Sequence, residues 1–211
     1  MTIRIMLADD HKILLDTLSL LLESEKDIKV VGVVKDGREV LELAASLRPD
    51  VVVMDINMPG MNGIEATRRL IAHHPKIKVV ALSGLAHKQY VLEMLEAGAS
   101  AYITKENASG ELVRAIRAVM NGQKYLCPEV AATVVDNTGH HPVSGIPLLG
   151  PREREVLQLL AEGGTSPVIA KRLFISTSTV DVHRRNIMKK LDLHSVAELT
   201  KYAVRNGLTS M

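Results

Sequence analysis

The sequence predicts an α/β domain, a doubly wound parallel sheet of five strands, followed by a small all-α domain of four helices. Three observations carry that prediction. Over the first 120 residues, short apolar, β-branched runs alternate five times with stretches of helical periodicity, as repeated βα units do. The runs end in reactive side chains, most clearly Val51-Val52-Val53-Met54-Asp55, which leads into Ile56-Asn57-Met58-Pro59-Gly60. The last 64 residues hold no such run and show helical spacing alone.

In order, Ile3–Ala8 is an apolar strand ending at Asp9-Asp10, and the next helix places Ile13, Leu14, Leu18, Leu21 and Leu22 on one face. Residues 29–34 form the second strand. Asp36, with Glu39 three residues on, is a capping-box-like start for a helix reaching about Leu47. The third strand ends at Asp55. Asn62 and Glu65 repeat the capping pattern and open a helix that stops near Pro75. Residues 77–82 are the fourth strand, ending at Ser83-Gly84. A helix over 88–97 precedes the short strand Ala101–Thr104, which ends at Lys105. Leu112, Ile116, Val119 and Met120 mark the apolar face of a fifth helix.

Composition narrows the function classes. Hydrophobic residues make up 46% and charged residues 24%, the balance of a soluble globular chain. No apolar run reaches the length of a membrane span, and no secretory signal is visible, so a cytoplasmic protein without membrane contact is expected. The single cysteine, Cys127, excludes an intramolecular disulfide and a Cys-rich zinc site. Residues 1–147 carry 16 basic and 18 acidic residues, and residues 148–211 carry 10 and 6, so a body of net −2 precedes a tail of net +4. A compact basic tail fits a nucleic-acid partner. Aromatics at 2% argue against stacking on single strands.

The strand ends gather Asp9, Asp10, Asp55, Ser83 and Lys105 along one edge of the sheet, where open α/β sheets bind ligands. Three carboxylates in one crevice repel each other unless a cation compensates, and hard oxygen ligands favour Mg²⁺. A lysine and a hydroxyl beside them could hold phosphoryl oxygens. The set suggests an aspartyl-phosphate intermediate. Singly, each residue has a plainer reading: Asp9 or Asp10 as a helix cap, Lys105 as a solvated strand end. All five at the correct strand ends make that reading weak.

Residues 122–147 form the expected connector, with a short helix begun by Pro128 and then a flexible linker rich in turn formers. His140-His141 and His73-His74 read as solvated pairs, and Cys127 as an idle thiol. From residue 148, Pro151 opens a helix with Val156, Leu157, Leu159 and Leu160 inward. Ser166 caps a second, with Ile169, Ala170 and Leu173 as its core. Ser176 caps a third, Thr177–Leu191, whose inner face is Val180, Ile187 and Leu191. Ser195 and Glu198 box the start of a fourth, carrying Leu199, Tyr202 and Ala203. The second and third helices, joined by Phe174-Ile175-Ser176, make a helix-turn-helix. The third shows Ser178, Thr179, Arg184, Arg185, Lys189 and Lys190 outward, the footprint of a helix in a DNA major groove.

Residues 1–121 resemble the receiver domain of bacterial two-component response regulators. The motifs are Ala8-Asp9-Asp10-His11, Asp55 through Gly63, Ser83, and Tyr102-Ile103-Thr104-Lys105. The resemblance implies that Asp55 accepts phosphate from a sensor histidine kinase. It also implies that Asp9, Asp10, Asp55 and the backbone carbonyl of Asn57 hold Mg²⁺, and that Lys105 contacts the phosphoryl oxygens. Ser83 would move toward the phosphate, and Tyr102 would rotate inward as a switch. Haloacid-dehalogenase-type phosphatases use similar parts, but need a second aspartate where this chain has Asn57, and an amide cannot serve as general acid. The chain is therefore not expected to be an enzyme.

Residues 148–211 resemble the LuxR-type output domain, on Pro151-Arg152-Glu153-Arg154-Glu155-Val156-Leu157, Ile169-Ala170-Lys171-Arg172-Leu173, Ile175-Ser176, Thr179-Val180, His183 and Lys190-Leu191. Together the two halves match the NarL/FixJ architecture. It implies that the third helix reads double-stranded DNA, with Val182 and Arg185 at base-facing positions. It implies also that the fourth helix, through Val196, Leu199, Thr200 and Ala203, pairs two copies on a two-fold site. Three positions depart from the pattern. Gly150 replaces the usual Thr cap. Val168 replaces a Glu, which removes a local ion pair or cap. Asp181 replaces a base-facing Lys, and a carboxylate there could accept from cytosine N4. The competing reading is a constitutive or partner-controlled DNA-binding protein whose receiver is only a docking module.

Overall fold

The computed structural model describes residues 2–84, 88–135, 149–205 and 208–209. Contacts divide the chain into two compact units, Met1–Gly139 and His140–Met211.

The first unit is a parallel sheet built from β1 (Ile3–Ala8), β2 (Ile28–Val34), β3 (Val51–Asp55), β4 (Lys78–Ser83) and β5 (Ala101–Thr104). Between them run α1 (Lys12–Glu23), α2 (Gly37–Leu47), α3 (Gly63–His73), α4 (Lys88–Glu96) and, after β5, α5 (Ala108–Met120). Every residue of β3 and of β5 is buried, as strands covered by helices on both faces must be. The caps follow the sequence in part. Asn62 accepts from the Glu65 N–H as expected, whereas Asp36 accepts one residue earlier, from Arg38. The Glu65 carboxylate turns outward to Arg68 and Arg69, and so completes no reciprocal box.

The sheet has six strands, not five. β6 (Tyr125–Leu126) pairs parallel with β5, and the order is β2-β1-β3-β4-β5-β6. Two residues are too few to show a period, so nothing in the sequence marked them as a strand. α6 (Pro128–Val135) follows, with Cys127 and Val130 fully buried in the main core. Residues 122–135 thus belong to the first unit and are not a loose connector. Residues 136–148, which carry the rest of the expected linker and its His140-His141 pair, lie outside the described residues. Two apolar assignments also change. Ile13 is 84% exposed, its place in the α1 core being taken by Leu15, and Met120 is exposed at the end of α5.

The chain leaves β1 for β2 on one side and returns to β3 on the other, so the order reverses between β1 and β3. That reversal opens the crevice in which α/β sheets bind ligands. Asp9 leaves the end of β1 and Asp55 ends β3, on either side of it. Gly63 keeps the crevice tight. Its N–H donates to the Ile56 carbonyl at 2.9 Å, and a Cβ there would stand 2.0 Å from the Asp55 carbonyl oxygen. Gly63→Ala must therefore push the Asp55 loop out of place. The expected cost is about 1–3 kcal/mol, read as an earlier thermal transition and weaker divalent-ion binding. An unchanged transition would mean that the loop yields freely.

The second unit holds α7 (Pro151–Ala161), α8 (Ser166–Leu173), α9 (Thr177–Leu191) and α10 (Val196–Arg205). Val156, Leu157, Ile169, Val180, Ile187, Leu199 and Ala203 are its fully or almost fully buried centre. The turn from α8 to α9 is made by Phe174 in the left-handed region, φ 54°, its N–H closing on the Ala170 carbonyl. Ser176 caps α9 by accepting from Thr179, and Ser195 with Glu198 forms the expected reciprocal box ahead of α10. Ser166 is not the cap of α8. Thr165 holds that position without a side-chain bond, and the Ser166 hydroxyl instead donates to Asp181 at 2.9 Å.

Candidate functional site

The charged residues predicted from three separate segments converge. Asp9 and Asp55 are each 1% exposed, and Lys105 from the end of β5 binds both, its Nζ 2.7 Å from Asp9 Oδ2 and 3.1 Å from Asp55 Oδ2. On the other side, His11 Nδ1 lies 2.9 Å from Asp9 Oδ1 and 2.8 Å from Asp10 Oδ1, and the His11 N–H donates to Asp9 Oδ1. Asp55 Oδ1 is left buried without a hydrogen-bond partner. Ligand atoms of Asp9, Asp10, His11 and Asp55 all fall within 4.8 Å of one another.

The electrostatics follow from that geometry. Burial raises the Asp55 carboxyl to about 6, Asp9 adds to the rise, and Lys105 opposes it. Burial works against the Lys105 charge, but the two carboxylates outweigh it and hold the ammonium above its ordinary value. One lysine cannot neutralise three carboxylates. An orphaned buried carboxylate oxygen among hard donors fits a divalent cation of the Mg²⁺ type.

Ser83 is buried at the end of β4, and its side chain bonds the Tyr102 hydroxyl. Tyr102 is fully buried, so the ring expected to rotate inward is already inward here, and burial raises its hydroxyl well above the ordinary range. Asn57 follows Asp55 in the loop, half-buried.

In the second unit, α9 presents one exposed stripe of Ser178, Val182, Arg185 and Lys189, spaced as neighbours on a helix face. The other expected contacts lie differently. Thr179, Asp181 and Arg184 are half-buried, and Asp181 spends its carboxylate on Ser166 at 2.9 Å and Arg184 at 3.5 Å. Lys190 pairs with Glu153 at 2.6 Å, tying α9 to the start of α7, where Glu153 also accepts the Gly150 N–H. Burial disfavours the Glu153 charge, yet Lys190 and that N–H hold its carboxyl below the usual range.

The expected pairing face of α10 needs correction. Leu199 and Ala203 are fully buried, since α10 packs along α7 and spends its apolar stripe there. Of the four residues expected there, Val196 is exposed and Thr200 half-buried. Reasoning from the sequence also missed three residues. His11 stood in a quoted motif without a role, and Ser166 and Glu153 had no visible link to Asp181 and Lys190. Side-chain pairings 15 and 37 residues apart leave no local signal.

Residues 5–117 match the family model of the response regulator receiver domain, and residues 147–203 that of bacterial regulatory proteins of the luxR family. The chain is 38% identical over 210 residues to the transcriptional regulatory protein LiaR of Bacillus subtilis (strain 168), covering 99% of this chain and 100% of that one. To the oxygen regulatory protein NreC of Staphylococcus carnosus (strain TM300) it is 34% identical over 213 residues, covering 97% and 98%. The RcsB response regulator of Salmonella typhimurium is similar in structure, with a TM-score of 0.61 and 26% identity over 97% of this chain and 98% of that one. A structure of an RcsB–DNA complex is similar at a TM-score of 0.61 and 25% identity, covering 99% and 100%. With both halves matched, and relatives alike over nearly their whole length, the chain belongs to the DNA-binding two-component response regulators that join a receiver to a luxR-type helix-turn-helix domain.

Proposed function

We infer that Asp55 is the phosphate acceptor, that a sensor histidine kinase is the donor, and that phosphorylation releases the output domain to dimerise on a two-fold DNA site. The observation that carries this reading is the Asp55 carboxylate, buried, with one oxygen 3.1 Å from Lys105 and the other without a partner. The free oxygen is the nucleophile that the reaction needs. Asp9, Asp10, Asp55 and the Asn57 carbonyl would hold Mg²⁺, which when bound supplies positive charge for the oxygens of the transferring group. Lys105 balances the same charge from the opposite side, already pointed there by Asp9 and Asp55. Ser83, at the end of β4, and Tyr102, within β5, are bonded to each other and would carry the change away from the phosphate.

The exposed stripe of Ser178, Val182, Arg185 and Lys189 would enter the major groove, and Val196 and Thr200 would supply the pairing face. RcsB has been solved as two dimers on two parallel DNAs, which supports the same arrangement for this chain. The site of action is the cytoplasm, consistent with a DNA target. No described helix is long and apolar enough to cross a membrane.

The test is the solution mass by gel filtration, with and without Mg²⁺ and a small phosphodonor, for wild type and Asp55→Asn. A monomer-to-dimer shift in wild type alone is expected. No shift, or the same shift in both proteins, would turn the reading toward a receiver that only docks a partner.

A further inference from the structure

We propose that the His11 imidazole is an additional metal ligand, and that it makes the acidic pocket prefer borderline transition ions, such as Co²⁺ and Zn²⁺, over Mg²⁺. The proposal rests on the pocket holding a divalent ion, as argued above, and adds a fourth side chain to the three carboxylates.

The distances are those of ligands sharing one ion. Two ligands on adjacent corners of an octahedron with bonds of about 2.1 Å stand about 3.0 Å apart. His11 Nδ1 is 2.9 Å from Asp9 Oδ1 and 2.8 Å from Asp10 Oδ1. The nitrogen therefore already stands, relative to both oxygens, where a neighbouring ligand of the same ion would stand. Lys105 takes Asp9 Oδ2 and Asp55 Oδ2, so it leaves to an ion the same side of the cluster that His11 faces. Asp55 Oδ1, buried and without a hydrogen-bond partner, completes the set.

The chemistry then selects the ion. Mg²⁺ takes oxygen ligands and parts reluctantly with its waters, whereas imidazole suits the later divalent ions, Fe²⁺ to Zn²⁺, with affinity greatest at Cu²⁺. A pocket of carboxylates alone is a magnesium pocket. One nitrogen added to it raises affinity for the transition ions and does nothing for Mg²⁺. Ligation requires Nδ1 without a proton. A neutral ring can carry its one proton on Nε2 and so leave Nδ1 to an ion, or carry it on Nδ1 toward the two aspartates. The backbone bond from the His11 N–H to Asp9 Oδ1 is independent of the ring and keeps Asp9 oriented in either state.

His11 is also the N-cap residue of α1, with extended backbone and no side-chain cap bond. Asparagine is a favoured N-cap, so His11→Asn keeps the helix start while removing the imidazole. The experiment is calorimetric titration of the full chain with Mg²⁺, Mn²⁺ and Zn²⁺, for wild type, His11→Asn and Asp55→Asn. Visible absorption of the Co²⁺ forms supplies a second readout. In His11→Asn, Zn²⁺ should bind more weakly by at least the ~10-fold that loss of even an outer-shell partner costs, Mn²⁺ should lose less, Mg²⁺ should be unchanged, and the Co²⁺ bands should move. An equal loss for all ions would reduce His11 to an orienter of Asp9 and Asp10, and no loss for any ion would place the ring outside the shell. Either result overturns the proposal. A wild type that binds no divalent ion, or binds it as well after Asp55→Asn, would instead defeat the reading of the pocket itself.

Discussion

In the absence of divalent ions, Asp55→Asn should make the receiver unit more stable at neutral pH, by about 1–3 kcal/mol, while abolishing phosphate uptake. The Asp55 carboxyl is raised to about 6 in the folded chain, from an ordinary 3.8, chiefly by burial and then by Asp9. Between those two values the folded protein holds a proton that the unfolded chain has lost. Stability therefore falls as pH rises through this window, and the cost of the buried charge is complete above about 6. Asparagine carries no charge to bury. Its advantage should be full at pH 7 and above, shrink below about 6, and vanish below about 4. Mg²⁺ should return much of the difference to wild type by binding the charge that destabilises it. The chain has no tryptophan, so hydrogen exchange at the β3 amides is the suitable probe. Equal protection in the two proteins across pH 4–8 would mean that Lys105 already neutralises Asp55.

Arg185→Ala should carry the other large effect. Arg185 is exposed in mid-stripe on α9, and its Nε makes only a long 3.4 Å bond to the backbone of Asp181. A guanidinium thus placed can pair with two acceptors on one guanine edge, and such a contact discriminates by about 1–3 kcal/mol. The expected outcome is a loss of about 5–150-fold on the cognate site, with little change on random DNA, in binding titrations at fixed salt. A loss of equal size on both would make Arg185 a phosphate contact.

The parts of this molecule that repeat along the chain were legible in the sequence. Val51 to Asp55 reads as a buried strand because four β-branched or apolar residues end in a carboxylate, and the same logic found the ends of β1, β4 and β5. Backbone periodicity then brings Asp9, Asp55 and Lys105 together without any knowledge of side-chain contacts. What stayed hidden depends on pairing at a distance. Ile13 fits the helical stripe of α1, yet Leu15 has the inward position, a difference of rotation that spacing does not resolve. Leu199 and Ala203 have the spacing of any apolar helix face, and only the position of α7 decides that they are core and not a pairing surface. Lys190 and Asp181 look like groove-facing residues until Glu153 and Ser166 claim their charges.

The two residues of β6 have a consequence beyond their size. β5 is buried throughout, and β6 covers its outer side: Leu126 pairs with Tyr102, and the Cys127 N–H donates to the Tyr102 carbonyl. Without them, a strand built to be buried would offer free N–H and C=O groups to any other chain in the same state. The segment after α5 is thus a guard against edge-to-edge aggregation. A receiver cut at residue 121 would lose that guard together with the buried Cys127 and Val130, so the smallest self-contained receiver extends through α6.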